Sequence, residues 1–210
     1  MKEGDFMTYI RLNTPDVNSS IRILHAVPNA PNIDVYANGS LILSDLSFSS
    51  ISNYLNLSPG TYELQVYRSG FYDTPLATQS VQLAPSANYT ISVVTLGGLF
   101  LFKLRDASIA TSTEYTYLRF MNLSQSAPLL NLDLPNGNEL FTAVEYLETT
   151  GYYTTSPGIY NFRVESTGGT ALNKNIKNLT LEGGKLYTIY ILGIFNGNPP
   201  LGYLFVEDER

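Results

Sequence analysis

Cysteine and tryptophan are both absent from the 210 residues. Without thiols there are no disulfides to staple a small fold and no thiolate ligands for a metal. Charge is scarce: 14% of residues are Asp, Glu, Lys or Arg, where a soluble domain usually has about a quarter. The balance is acidic, with a formal net charge of −6 and a pI near 4.7. That speaks against nucleic acid as a partner, because neutralising phosphates requires clustered Lys and Arg. No apolar run reaches the roughly 18 residues of a membrane span. Residues Met1 to Ile10 carry Lys2, Glu3 and Asp5 and lack the basic-then-apolar order of a signal peptide. Also missing are an Asp-x-Asp-x-Asp-Gly calcium loop, a phosphate loop, a dinucleotide fingerprint and a Gly-x-Ser-x-Gly elbow. No cofactor or metal is therefore expected.

Uncharged polar residues fill the space that charge leaves, among them 16 tyrosines. The chain also repeats itself. Ser58-Pro59-Gly60-Thr61-Tyr62 returns 98 residues later as Ser156-Pro157-Gly158-Ile159-Tyr160. Tyr89-Thr90-Ile91 returns as Tyr187-Thr188-Ile189, Asn38-Gly39 as Asn136-Gly137, and Tyr54 as Tyr152, all at the same spacing. Four ordered matches at one spacing indicate a duplication. The first repeat is assigned to residues 8–107 and the second to 113–210, with the small, polar stretch Ala107 to Thr113 between them.

Each repeat reads as strands. Tyr62, Leu64 and Val66 alternate with Glu63 and Gln65, and Tyr160, Phe162 and Val164 with Asn161, Arg163 and Glu165. In a strand this rhythm gathers the apolar groups on one face. Further strands are expected at 21–27, 33–37, 41–46, 52–57, 77–83, 89–96 and 99–105. The Asn-Gly pairs suit type I′ hairpins and the Pro-Gly pairs type II turns. Seven or eight short strands per repeat imply a sandwich or barrel. The expected fold is all-β: two tandem antiparallel β-sandwich domains, Ig-like or transthyretin-like, each closing its own independent core.

The run His25-Ala26-Val27-Pro28-Asn29-Ala30-Pro31-Asn32-Ile33-Asp34-Val35-Tyr36, followed by Tyr54-Leu55-Asn56-Leu57-Ser58-Pro59-Gly60-Thr61-Tyr62, resembles a bacterial domain-of-unknown-function family, number 4397. The first repeat matches almost throughout. The second keeps Ala127-Pro128, the Asn-Gly turn and the Ser-Pro-Gly-x-Tyr turn, as a diverged member would. The resemblance implies a tandem arrangement and an exported or cell-envelope setting, and it implies no reaction.

The candidate site residues are His25, Pro28, Pro31, Asp34 and Tyr36. His25 with Asp34 has the makings of a base oriented by a carboxylate in a hydrolase. The second repeat places Asn122 opposite His25 and Asn131 opposite Asp34. Amides hydrogen-bond but do not transfer protons near neutrality, which favours a structural role. Pro28 and Pro31 suit a corner between sheets, or alternatively a binding ridge. Tyr67, Tyr72, Tyr152 and Tyr153 are candidates for exposed, ligand-stacking rings. The acidic end Glu207-Asp208-Glu209 reads as a solvated terminus. The expected function is a non-catalytic structural or interaction module of the bacterial cell envelope or spore surface, whose partner is a protein or a cell-wall glycan. The alternative is a carbohydrate-binding module using exposed Tyr residues, and a hydrolase using His25 and Asp34 ranks third.

Overall fold

The computed structural model describes residues 17–107, 109–168 and 172–209. The N-terminal residues Met1 to Ile10, the assigned start of the first repeat at residue 8 and residue 210 lie outside the described residues. The first copy comprises β1 (Ser19–His25), β2 (Ile33–Ala37), β3 (Ser40–Leu46), β4 (Leu55–Leu57), β5 (Gly60–Arg68), β6 (Ala77–Leu83), β7 (Asn88–Thr95) and β8 (Leu99–Arg105). The second repeats the order as β9 (Thr116–Asn122), β10 (Leu130–Asp133), β11 (Glu139–Val144), β12 (Tyr153–Thr155), β13 (Gly158–Ser166), β14 (Asn173–Leu181), β15 (Leu186–Leu192) and β16 (Gly202–Asp208). No helix occurs among the described residues.

In the first copy, sheet β4-β1-β7-β8 faces sheet β3-β2-β5-β6. In the second, β12-β9-β15-β16 faces β11-β10-β13-β14. Alternation supplies each core. Ile33, Val35 and Ala37 of β2 and Leu64 and Val66 of β5 meet Ile21, Ile23, Ile91 and Val93 from the facing sheet. Phe162 and Val164 meet Phe120 and Ile189 in the same way.

One pairing in each copy departs from the antiparallel expectation. Strands β1 and β7 run parallel, with Ile23 opposite Ile91, and so do β9 and β15, with Phe120 opposite Ile189. The chain visits the other sheet between these strands, so no hairpin dictates their relative direction.

The repeated motifs resolve into distinct local devices. Asn38 (φ 48°) and Gly39 (φ 77°) form the expected type I′ turn. In the second copy Pro135 restrains the backbone just before Asn136, and the left-handed residue is Gly137 (φ 90°). Gly137 N donates to Leu134 O at 2.9 Å and Leu134 N to Asn138 O at 2.8 Å, a type I turn followed by a glycine bulge. The Pro-Gly pairs do not form the expected type II turns. Gly60 takes φ 152° and opens β5. The motif's tyrosine closes the corner: Tyr62 Oη donates to Ser58 O at 2.9 Å, and Tyr160 Oη to Ser156 O at 2.7 Å. The tie resembles the tyrosine corner of other β-sandwiches.

Each copy closes its own core, as expected, but the copies are also joined. A third apolar cluster joins Leu24, Ala26 and Val94 of the first copy to Met121, Leu123, Tyr190 and Leu192 of the second. Phe100 and Phe102 pack against it while Leu101 points into the first core. The two inner sheets are thus buried on both faces, and the four sheets stack as four layers.

Candidate functional site

Inside the third cluster lies a ring of charge. Arg22 on β1 and Arg119 on β9 project between the inner sheets, each 3% exposed. Arg22 Nε donates to Thr90 Oγ1 at 2.8 Å, and Arg119 Nε to Thr188 Oγ1 at 2.8 Å. Both guanidinium groups then cross the junction. Arg22 pairs with Asp208 of the second copy, and Arg119 with Asp106 of the first at 2.8 Å. Arg119 also reaches Asp208 at 3.3 Å. Tyr54 Oη donates to Asp106 at 2.7 Å while its ring lies under Arg22, 4.6 Å from the guanidinium carbon. Tyr152 repeats this with Asp208 at 2.7 Å and Arg119 at 4.8 Å. Burial alone would push both guanidinium groups down; the surrounding aspartate and tyrosine oxygens more than offset it and hold them above their ordinary value. Burial, then the neighbouring carboxylates, push the Tyr54, Tyr152 and Tyr190 phenols up. Two cations and two carboxylates balance one another.

Two expectations fail here. Asp208 is not part of a solvated terminus; it is 3% exposed and joins the copies. Tyr152 is not a free stacking ring, because its face is covered by Arg119 and its hydroxyl is committed to Asp208. Strand β16 runs beside β15 to the far end of the inner sheet, and this carries Asp208 to the junction. Arg22, Thr90 and Tyr54 each have a counterpart in the second repeat, and polar residues recurring on otherwise apolar strands were the available signal.

His25 is fully buried at the end of β1. Its Nδ1 accepts from Val27 N at 3.3 Å, which leaves the proton on Nε2 for Pro31 O at 3.1 Å. Burial lowers its pKa, and the hydrogen bond to Pro31 offsets only part of this. In the second copy Asn122 Oδ1 accepts from Ser124 N at 2.9 Å and Nδ2 donates to Val144 O at 3.4 Å. Asp34 has other partners: Asp45 N at 2.7 Å, Gly70 N at 3.4 Å and Tyr72 Oη at 2.8 Å. Burial pushes the Asp34 carboxyl up, but these donors and Ser69 together hold it below its ordinary value. Asn131 copies the arrangement, accepting from Ala143 N at 2.8 Å and Thr167 Oγ1 at 3.0 Å. Asp45 (φ 56°) and Ala143 (φ 54°) are the left-handed residues of matching bulges, so Asp34 and Asn131 cap an irregular β2–β3 or β10–β11 pairing. His25 and Asp34 are not hydrogen-bonded to each other.

Pro31 is exposed and supplies the carbonyl that His25 holds. Pro28 lines a cavity of about 440 Å³ at the junction, with Val27 and Thr95 from the first copy and Gln125, Tyr146 and Ile194 from the second. Tyr146 Oη donates to Thr95 O at 2.6 Å across its floor. Tyr36, Tyr67 and Tyr72 gather on the outer face of the first copy. Tyr153 is 43% exposed and meets Phe141 edge-to-face at 6.3 Å. Among the described residues no three His, Asp or Glu side chains gather to hold a metal ion, and no helix is long and apolar enough to cross a membrane.

The profile of a protein family described as a domain of unknown function, DUF4397, matches residues 19–133 and 134–210. No curated protein matches the chain. Among solved structures, the C-terminal domain of AlgF from P. aeruginosa is similar at 20% identity and a TM-score of 0.35, covering 45% of this chain and 99% of that one.

Proposed function

The chain belongs to the DUF4397 family as two tandem copies, and we propose that it is a non-catalytic interaction module of a bacterial cell envelope or extracellular surface. The observation that carries this reading is the comparison between copies at His25 and Asp34. Each is replaced by an amide that keeps a backbone contact of the same kind. A role met equally by Asn122 and Asn131 needs no proton transfer. The envelope setting rests on the resemblance of the first repeat to exported proteins and on the low charge of the chain.

Co-sedimentation with purified bacterial cell walls tests the proposal. The intact chain should be retained, His25→Asn should be retained equally, and no soluble fragments should be released. Failure to bind, or release of wall fragments that His25→Asn abolishes, would overturn it.

A second reading is favoured by the junction cavity, whose size lies within the range of small-ligand pockets. It takes an apolar group. The dye 1-anilinonaphthalene-8-sulfonate should fluoresce with the intact chain and lose that signal in Gln125→Trp, which fills the space.

A further inference from the structure

We infer that the outer face of sheet β3-β2-β5-β6 carries a binding site for a neutral glycan, formed by Tyr36, Tyr67 and Tyr72. The inference rests on the interaction-module reading and gives it a ligand class.

The duplication supplies the comparison. Tyr36 faces Gln65 across β2 and β5, and Asp34 faces Tyr67. At the matching register of the second copy, Asp133 faces Arg163 and Asn131 faces Glu165. There the face is an ion-paired surface: Arg163 Nε lies 2.7 Å from Glu165 and Nη2 lies 3.9 Å from Asp133. In the first copy Tyr36 and Tyr67 stand where the second has Asp133 and Glu165, and Tyr72 joins them. The scaffold positions behave differently, since the Arg-Thr-Tyr set of the junction and the tyrosine corners recur in both copies. The fold accepts a half-buried ion-paired cluster at this face, with Asp133 3% exposed, so folding does not demand the rings.

The rings are also held in place. Their centroids lie 5.3, 5.8 and 6.0 Å apart, with interplanar angles of 65° to 74°. Tyr72 is 51% exposed, yet its hydroxyl is anchored to the buried Asp34 carboxylate at 2.8 Å. A prearranged aromatic corner loses little conformational entropy on binding.

The chemistry on offer suits sugar rings. The exposed Tyr72 ring can take the apolar C–H face of a pyranose, and the phenol hydroxyls of the half-buried Tyr36 and Tyr67, which bond to none of the described residues, can meet its hydroxyls. No free charge is presented by the three tyrosines, because Asp34 is 1% exposed and saturated with donors. A net charge of −6 repels anionic polymers. A neutral polysaccharide therefore fits better than a charged one.

Native affinity electrophoresis of the intact chain tests this in gels containing hydroxyethylcellulose, soluble starch or galactomannan, with polygalacturonate as the anionic probe. The chain should be retarded in at least one neutral gel and not by polygalacturonate. Tyr36→Asp with Tyr67→Glu installs residues that the second copy already carries. This double variant, checked for folding by circular dichroism, should bind at least ten-fold more weakly, and Tyr72→Ala should do the same. Retardation unchanged in both variants, retardation only by polygalacturonate, or none in any gel would overturn the inference. If cell-wall retention depends on these tyrosines while every neutral gel fails, the ligand class is wrong and the interaction-module reading stands. If retention fails as well, both fall.

Discussion

A guanidinium taken out of water costs several kcal/mol unless its partners replace the lost solvation. Arg119 has three such partners, Thr188, Asp106 and Asp208, and a tyrosine ring against its face. Removing one member leaves the others buried and uncompensated. Arg119→Met should therefore cost about 3–5 kcal/mol of stability in urea unfolding. Replacing Arg22, Arg119, Asp106 and Asp208 together with apolar residues should cost less than that single change. Tyr190 sits among these groups with a buried hydroxyl that has no hydrogen-bond partner among the described residues. Tyr190→Phe should raise stability by about 1 kcal/mol, because an unsatisfied buried polar group is removed and the ring kept. His25 gives a pH dependence of definite sign. Its folded pKa lies below the ordinary 6.5, so the folded state favours the neutral ring. Its contribution is complete above pH 6.5 and is lost as pH falls through the folded value. Denaturation midpoints measured downward from pH 7 should fall less steeply for His25→Asn than for the unaltered chain.

At the scale of elements, the strands were legible because alternation and turn residues act locally. Residues 33–37, 77–83 and 99–105 agree with β2, β6 and β8. The parallel pairs β1–β7 and β9–β15 were not legible, since strand direction depends on which sheet the chain visits in between. The Ser-Pro-Gly-x-Tyr motif stood out as a repeat, yet its mechanism is a side-chain tie and not the left-handed glycine of a type II turn. That tie can be measured. Tyr62→Phe removes one hydroxyl-to-carbonyl bond and should lower stability by about 1 kcal/mol in urea, while Tyr160→Phe removes the same tie and a contact with Thr155 Oγ1 at 2.9 Å and should cost at least as much. Their effects should add in the double variant, because the corners belong to different copies.

For the whole molecule, the duplication could be read from the sequence but the junction could not. Two sandwiches explain why Leu64 and Phe162 are apolar. They do not explain why Leu186–Leu192 is buried at every position, which requires protein on both faces of its sheet. Nor does spacing along the chain reveal that Arg22 meets a carboxylate near the far end. The polar positions of the inner strands acquire meaning only when both copies are placed face to face. The buried charges and the third apolar cluster then make the two copies a single cooperative body, one that presents the outer tyrosine face and the junction cavity in fixed relation. Native-state hydrogen exchange tests this most directly. The slowest amides of β7 and β15, one strand from each copy, should open with the same free energy and the same dependence on denaturant. Two separate opening free energies, one for each copy, would contradict the account.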